Sequence, residues 1–307
     1  MTDRDFDILV VGELNADLIL TGDVMPAFGQ KEKLLDEAVL TLGSSSAIFA
    51  CGIARLGLRA AFAGKTGDDA FGRFVVDQLA ARGVDVAGVV RDAAIPTGLS
   101  VILSREADRA ILTYPGSIAA LRYDEVDLAA IPRARHLHLG GYFLLDAFRP
   151  DVPRLFDAAR SHGLSISLDT NYDPSEKWNG GFADVLSRTD VFLPNETELL
   201  AVTREADVDA GLDRISRRVP TVAVKLGARG ALACRGSQLA RADSVPVDVV
   251  DTTGAGDSFD AGFVYGYLAG WPLDRMLRLG CVCGSLSTRG LGGTTAQPSL
   301  DEALAVL

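Results

Sequence analysis

Short runs of consecutive apolar residues recur along the chain, separated by longer stretches whose apolar positions fall three and four apart. Residues 8–12 form the first run, and residues 60–64, 136–140, 164–168, 191–193 and 222–226 repeat it. A short apolar run without polar alternation predicts a strand buried on both faces. Between the runs, residues 47–58, 69–82, 152–162 and 195–203 carry helical spacing; in the second it rests on Phe71, Phe74, Val75 and Leu79. The first two helices are expected to stop near Gly57 and at Gly83, where glycine lets the chain leave the helix. Strand and helix alternating in this way predict a doubly wound, mostly parallel α/β sheet with helices on both faces. After Gly254 the pattern is helical to the end, through residues 258–269, 273–287 and 300–306.

Two stretches break the alternation. Residues 15–40 hold short period-two segments around a Pro/Gly turn at 26–29, and residues 97–114 read as two strands, 99–103 and 110–114, around a charged turn at 105–109. Both predict a small sheet projecting from the core. The reading is therefore one α/β domain over residues 1–307, with a β-sheet lid formed by residues 13–42 and 97–115 inserted in it. An apolar fraction of 48% is enough for a sizeable core.

Composition excludes more than it identifies. A net charge of -11 repels a phosphate backbone, so no nucleic acid is expected as partner. A small anion remains compatible, because one local positive pocket would hold it. The four cysteines are too sparse for a disulfide framework, and Cys281-Val282-Cys283 lacks the spacing of a zinc knuckle. The N-terminal segment has no basic start, and its apolar run reads as a strand rather than a signal peptide. No window approaches the ~18 apolar residues of a membrane span, so the expected location is cytoplasmic. His136 and His138 lie two apart on a predicted strand with no carboxylate motif nearby, and with His162 they are read as structural. Gly290 to Gly293 follow a helix rather than a strand, which argues against a dinucleotide fingerprint. Lys31 and Lys33 read as solvated surface.

The sharpest local signal is Asp251-Thr252-Thr253-Gly254-Ala255-Gly256-Asp257, between a strand-like run at residues 245–250 and a helix. Small residues at a helix start let a ligand approach the backbone, where unpaired N–H groups and the helix dipole make an anion site. A carboxylate at Asp257 would stand beside that site, placed to take a proton from a hydroxyl attacking a phosphate. Spacing alone leaves a second reading open, a glycine-rich turn with an aspartate capping its helix.

This heptapeptide resembles the C-terminal signature of the ribokinase-like (PfkB) carbohydrate kinases, Asp-Thr-x-Gly-Ala-Gly-Asp. The resemblance implies an ATP-dependent kinase that transfers the γ-phosphoryl group to a hydroxyl of a sugar or sugar-like molecule. In it Asp257 is the general base, and Gly254, Ala255 and Gly256 form the anion hole. Other segments agree in the family's order. Asn195 and Glu198 match the Asn-x-x-Glu motif, which implies a hold on Mg2+ through water; they would equally form a helix-capping box. Lys225 to Gly230 resemble the family's nucleotide loop, which assigns Lys225, Gly227 and Gly230 to the nucleotide. Gly12 to Asp17 resemble the first strand end, which assigns Asn15 and Asp17 to the substrate. Thr113 to Gly116 match the return from the lid. Asp169 ends a strand at the ligand-binding edge and is a further substrate candidate; Asp173 stands where the family often has arginine, so no phosphate clamp is implied there.

The family's first signature is only partly present. Gly43 is kept, Ser44 replaces the second glycine, and Ile48 stands where a sugar-contacting asparagine is usual. Gly43 and Ser44 are still assigned to the substrate, with Ser44 to Ser46 as replacement hydroxyls. Because Ile48 and Phe49 would suit a base, a nucleoside kinase of the same fold is the alternative. The resemblance also implies a K+ site at Asp251 and Thr253 beside the loop of residues 287–295, unless Arg289 fills it, and a homodimer formed through the lid.

Overall fold

The computed structural model describes residues 4–105, 108–179 and 181–307. Its strands are β1 (Ile8–Val11), β2 (Asn15–Thr21), β3 (Glu37–Leu42), β4 (Ala60–Gly67), β5 (Asp85–Asp92), β6 (Gly98–Arg105), β7 (Asp108–Tyr114), β8 (His136–Leu139), β9 (Ser165–Leu168), β10 (Val191–Phe192), β11 (Thr221–Lys225), β12 (Ala231–Arg235) and β13 (Gln238–Ala242). Its α-helices are α1 (Ser45–Arg55), α2 (Ala70–Ala81), α3 (Val152–Ser161), α4 (Phe182–Leu186), α5 (Glu196–Thr203), α6 (Val208–Ser216), α7 (Ala255–Leu268), α8 (Leu273–Ser287) and α9 (Leu300–Leu304).

The apolar runs become the centre of a nine-stranded sheet of order β13-β12-β11-β10-β9-β8-β1-β4-β5. Every pairing from β11 to β5 is parallel. The residues of β1 show why the run had to be continuous. Ile8 and Val10 enter one core with α1, α2, α7 and α8, while Leu9 and Val11 enter a second core with α3, α5 and α6. Successive strand side chains point to opposite faces, so a sheet covered on both must be apolar at every position. Helices α1 and α2 are followed by Gly57 and Gly83 at φ 92° and 82°, as their sequence stops require.

Two features depart from the sequence reading, and a third falls partly outside the described residues. The run at residues 245–250 joins no strand; Val249 and Val250 are 60% and 62% exposed. The sheet ends in an antiparallel hairpin, β12–β13, and β5 forms its other edge. The turn expected at 105–109 includes residues 106 and 107, which lie outside the described residues, as do residues 1–3 of the N-terminal segment. His136 and His138 take the structural role. Their rings bond Ser165 and Ser167 at 2.7–2.8 Å, the His138 ring stacks on Phe49, and burial brings both down to about 3, which keeps them neutral.

The second sheet has the order β3-β2-β6-β7, with β2 and β6 parallel and both outer pairings antiparallel. Asp17, Ser100 and Thr113 align on one face and Leu18, Leu40, Val101 and Leu112 on the other.

Ser44 carries the substitution in the first signature at a backbone cost. It caps α1, accepting from Ala47 N at 2.9 Å and donating to Glu13 O, but does so at φ 71°, ψ 120°. A non-glycine residue held there costs ~1–3 kcal/mol. Exchanging a serine cap for glycine costs only a few tenths, roughly, and the lost hydrogen bond about 1 kcal/mol. Ser44→Gly is therefore expected to be more stable by about 1 kcal/mol in urea unfolding; an equal or lower midpoint would show that the strain is absorbed elsewhere.

Candidate active site

A cleft of about 1380 Å3 runs between the C-terminal edge of the large sheet and the inner face of the small one. On the small-sheet side Asn15 Nδ2 donates to Asp17 Oδ1 at 2.9 Å, and Ser100 Oγ lies 3.0 Å from Thr113 Oγ1. Asp17 is 6% exposed; burial raises its pKa to about 7 against the pull of Asn15 and Arg109. Gly43 makes this pair possible, because a methyl group there would fall 2.1 Å from Asp17 Oδ1 and 2.6 Å from Asn15 Nδ2.

Across the cleft is the start of α7. Gly254 is its N-cap at φ 72°, and no side chain caps the first turn. A methyl group on Gly254 would meet Gly293 at 2.6 Å, so that glycine is needed for packing. Gly256 differs: a methyl there would meet only Lys225, at 3.6–3.8 Å, which is ordinary contact. The protein's own packing does not demand glycine at 256, and its smallness leaves the turn open toward the cleft. Asp257, half-buried on this turn, is raised to about 7 by burial and then by Asp169, against Lys225. Ser45, its hydroxyl 2.7 Å from Asn171 Oδ1, lies beside it.

Beneath the turn Lys225 Nζ bonds Asp169 Oδ2 at 2.8 Å and both oxygens of Asp260 at 3.0 and 3.1 Å. Burial alone would raise Asp169, but Lys225 brings it down to about 2, while Asp260 is pushed well up. Glu13 sits close by, 2% exposed, accepting from Ser46 N at 3.2 Å and Ser46 Oγ at 2.5 Å; burial raises it too.

Further along the edge, Asn195 and Glu198 form a full capping box on α5. Glu198 accepts from Asn195 N and Nδ2, both at 2.8 Å, and Asn195 Oδ1 accepts from Glu198 N at 2.9 Å. Burial, then Asp169, raises Glu198 to about 7. Gly227, at φ 59°, has nothing near the place of a side chain and borders the cleft. Gly230 also borders the cleft, but a methyl there would strike Ala242 O at 2.0 Å, so packing against β13 explains that glycine.

Asp251 ties the turn before α7 to the late loop. Its Oδ1 accepts from Thr253 N and Oγ1 at 2.9 and 2.8 Å, and its Oδ2 from Gly292 N at 2.8 Å. Arg109, from β7, donates to Thr253 Oγ1 at 3.0 Å, so the small sheet reaches the helix turn directly. Ile48 is 3% exposed, and its methyl groups pack against Gly254 and Gly293.

The structure thus gathers Asn15, Asp17, Ser44, Asp169, Asn195, Glu198, Lys225, Thr253 and residues 254–257 around one cleft. Gly43 supports it from behind, and Asp251 anchors the turn. The sequence reading missed Glu13, Arg109 and Asp260, whose roles come from pairings between distant segments rather than from local spacing. Ser44 and Ser46 were expected to offer hydroxyls to the substrate; both hydroxyls are instead bonded to Glu13.

A carboxylate on an uncapped helix start thus faces a polar wall across one cleft, an arrangement compatible with phosphoryl transfer to a small molecule. The chain belongs to the pfkB family of carbohydrate kinases, whose model matches residues 5–300, and it is an enzyme of that class. It is similar to the fructokinase of Klebsiella pneumoniae, 32% identical over 276 residues, 85% of this chain and 90% of that protein. The 5-dehydro-2-deoxygluconokinase of Geobacillus thermodenitrificans is 29% identical over 277 residues, 85% of this chain and 82% of that protein. In fold it matches an E. coli protein described as a ribokinase II in complex with ATP and Mg2+, with a TM-score of 0.87, 24% identity and 98% of each chain covered. Among the described residues no helix is long and apolar enough to cross a membrane.

Proposed function

We propose that this carbohydrate kinase transfers the γ-phosphoryl group of ATP to a hydroxyl of a sugar or sugar acid, with Asp257 as general base and the backbone of residues 254–256 as anion hole. The observation that carries the reading is the position of Asp257 on the uncapped first turn of α7, across the cleft from Asp17. Asp17 and Asn15 grip acceptor hydroxyls. The reacting O–H gives its proton to Asp257 as its oxygen forms the new bond to phosphorus, and the bond to the leaving ADP breaks. The N–H groups of the turn meet the charge on the transferred group, where preorganised donors act most strongly. Arg109 brings the lid onto the same turn and would close it over the acceptor, excluding water that competes for the phosphoryl group.

The nucleotide enters as its magnesium complex. Glu198 fits that complex, because a buried carboxylate held near Asp169 is relieved by a cation, and Asn195 fixes its orientation. Magnesium neutralises and orients the triphosphate. Potassium has less support. Each Asp251 oxygen already accepts a hydrogen bond, and the Arg109 guanidinium stands on Thr253.

The nucleoside alternative rested on Ile48 and Phe49; Phe49 is buried against the His138 ring, and Ile48, which borders the cleft, packs on Gly254 and Gly293. ADP release with a panel of sugars, sugar acids and nucleosides, in K+, Na+ and a bulky organic cation, tests the reading. Turnover of sugars or sugar acids is expected, with rates insensitive to the cation; turnover of nucleosides alone overturns it.

The outer face of the lid supports a homodimer. Leu40 and Leu112, aligned with Leu18 and Val101, are 40% and 60% exposed. A four-stranded sheet with its apolar outer face turned to solvent is short of core, and a second lid of the same shape would cover it. Leu112→Glu is expected to sediment as a monomer where the parent sediments as a dimer. A monomeric parent would remove the proposal.

A further inference from the structure

The sequence resemblance gave Lys225 to the nucleotide, yet its ammonium has three N–H donors and three acceptors within 2.8–3.1 Å, all of them carboxylate oxygens of Asp169 and Asp260. None is left for a phosphate. The Lys225 side chain is 12% exposed, and those of Asp169 and Asp260 are 5% and 1% exposed. Its stem runs beneath Gly256, the open position of the phosphoryl-binding turn.

Ligand oxygens of Asp169, Asp257 and Asp260 all lie within 4.8 Å of one another. Buried like charges at such distances repel strongly, and one cation must be shared among them. Lys225 supplies that charge, and supplies it to the two carboxylates that are not on the reacting turn. We propose that Lys225 is a positioning residue of the phosphoryl-transfer centre: it ties Asp169 and Asp260 beneath the turn of residues 254–256 and so leaves Asp257 as the carboxylate of the cluster that accepts the acceptor's proton.

The division of charge follows. One ammonium cannot neutralise two carboxylates, so they part: Lys225 holds Asp169 down to about 2 against its burial, while burial pushes Asp260 well up. The groups that face Asp257 are Asp169 after β9, Lys225 on β11, Glu13 after β1, Glu198 on α5 and Asp260 on its own helix, with the Ser45 hydroxyl from α1. Of these only Lys225 is positive. Without it, Asp257 would hold its proton to higher pH and cease to act as a base near neutrality.

This inference rests on Asp257 being the base, and its test separates the two. The Asp257 carboxyl is titrated by 13C NMR in the protein without substrate, its signal identified by its loss in Asp257→Asn. Three variants have different expected directions. Lys225→Met moves the midpoint up by about one pH unit or more, Asp169→Asn moves it down, and the double variant, which removes the ion pair whole, returns it close to the parent. The acid limb of the kcat/KM profile moves with the midpoints, while KM for ATP changes little. Should Lys225→Met fail to fold, the downward shift in Asp169→Asn and the return in the double variant still decide. Unmoved midpoints in these variants overturn the proposal, as does a loss that falls wholly in KM for ATP, which would return Lys225 to the nucleotide. Midpoints that move as expected in a protein that phosphorylates nothing would overturn the kinase reading and leave the charge arrangement standing.

Discussion

Asp257→Asn is expected to lower kcat by ~10²–10⁴-fold, the usual worth of a general base, with KM for ATP little changed. The substitution keeps size and packing and removes only the ability to take a proton. The same variant should melt at a higher temperature than the parent. Burial raises the Asp257 pKa from 3.8 to about 7, so the folded state holds a proton that the unfolded state releases at lower pH. The stability this group lends is complete below about 3.8 and is lost as pH rises toward about 7. Asparagine carries no such loss. Its advantage over the parent should therefore grow between those pH values and level off above them. Melting curves across that range, with single-turnover rates beside them, check both halves. Near-normal turnover in a folded variant rules Asp257 out as the base, and an advantage that shrinks with rising pH contradicts its burial.

Asp17→Asn is expected to cut kcat/KM for the acceptor by roughly 10–200-fold and to leave KM for ATP unchanged. A hydrogen bond to a charged group is worth about 1.5–3 kcal/mol, and a buried carboxylate facing a polyol can hold two hydroxyls. Asp17 also faces the Arg109 guanidinium. Its loss should therefore loosen the lid as well as the acceptor, and part of the effect should fall in kcat. Because burial raises Asp17 to about 7, the parent's acceptor affinity should strengthen as pH rises through that value, and the variant's should not. Initial rates at varied acceptor concentration and pH measure this. Unchanged acceptor kinetics would place the substrate elsewhere in the cleft.

The fold was largely legible because a sheet covered on both faces leaves apolar runs no alternative. Residues 8–12 and 136–140 could be read for that reason. The misreading at residues 245–250 has the converse cause. Val245, Val247 and Val249 border the cleft, so their apolar character belongs to a binding surface and not to a strand. Strands β5 and β13 lie at the sheet's edges and are only partly covered, and their exposed, charged positions broke the pattern. Of the site, the turn of residues 251–257 was legible because a helix start with small residues is a local feature. Lys225 was legible as a strand end but not as the partner of Asp169 and Asp260, which stand 56 and 35 residues away. Ile48 illustrates the remaining limit. Its departure from the family's asparagine was plain, but that it packs on Gly254 and Gly293 at the border of the cleft depended on how α1 sits against the late loop.

The parallel pairing of β2 with β6 joins residues 15–21 to residues 98–104. It completes the lid within the first 114 residues of the chain. Glu13, Asn15, Asp17, Gly43, Ser100, Arg109 and Thr113 all belong to that part, whereas Asp169, Asn195, Glu198, Lys225, Asp257 and Asp260 all follow it. On the roles proposed above, acceptor recognition and group transfer fall in separate, consecutive stretches of the chain. On that reading, a change of acceptor would be sought first in the earlier stretch. Arg109 on Thr253 and Ile48 against Gly254 and Gly293 are the seams at which the two must still match.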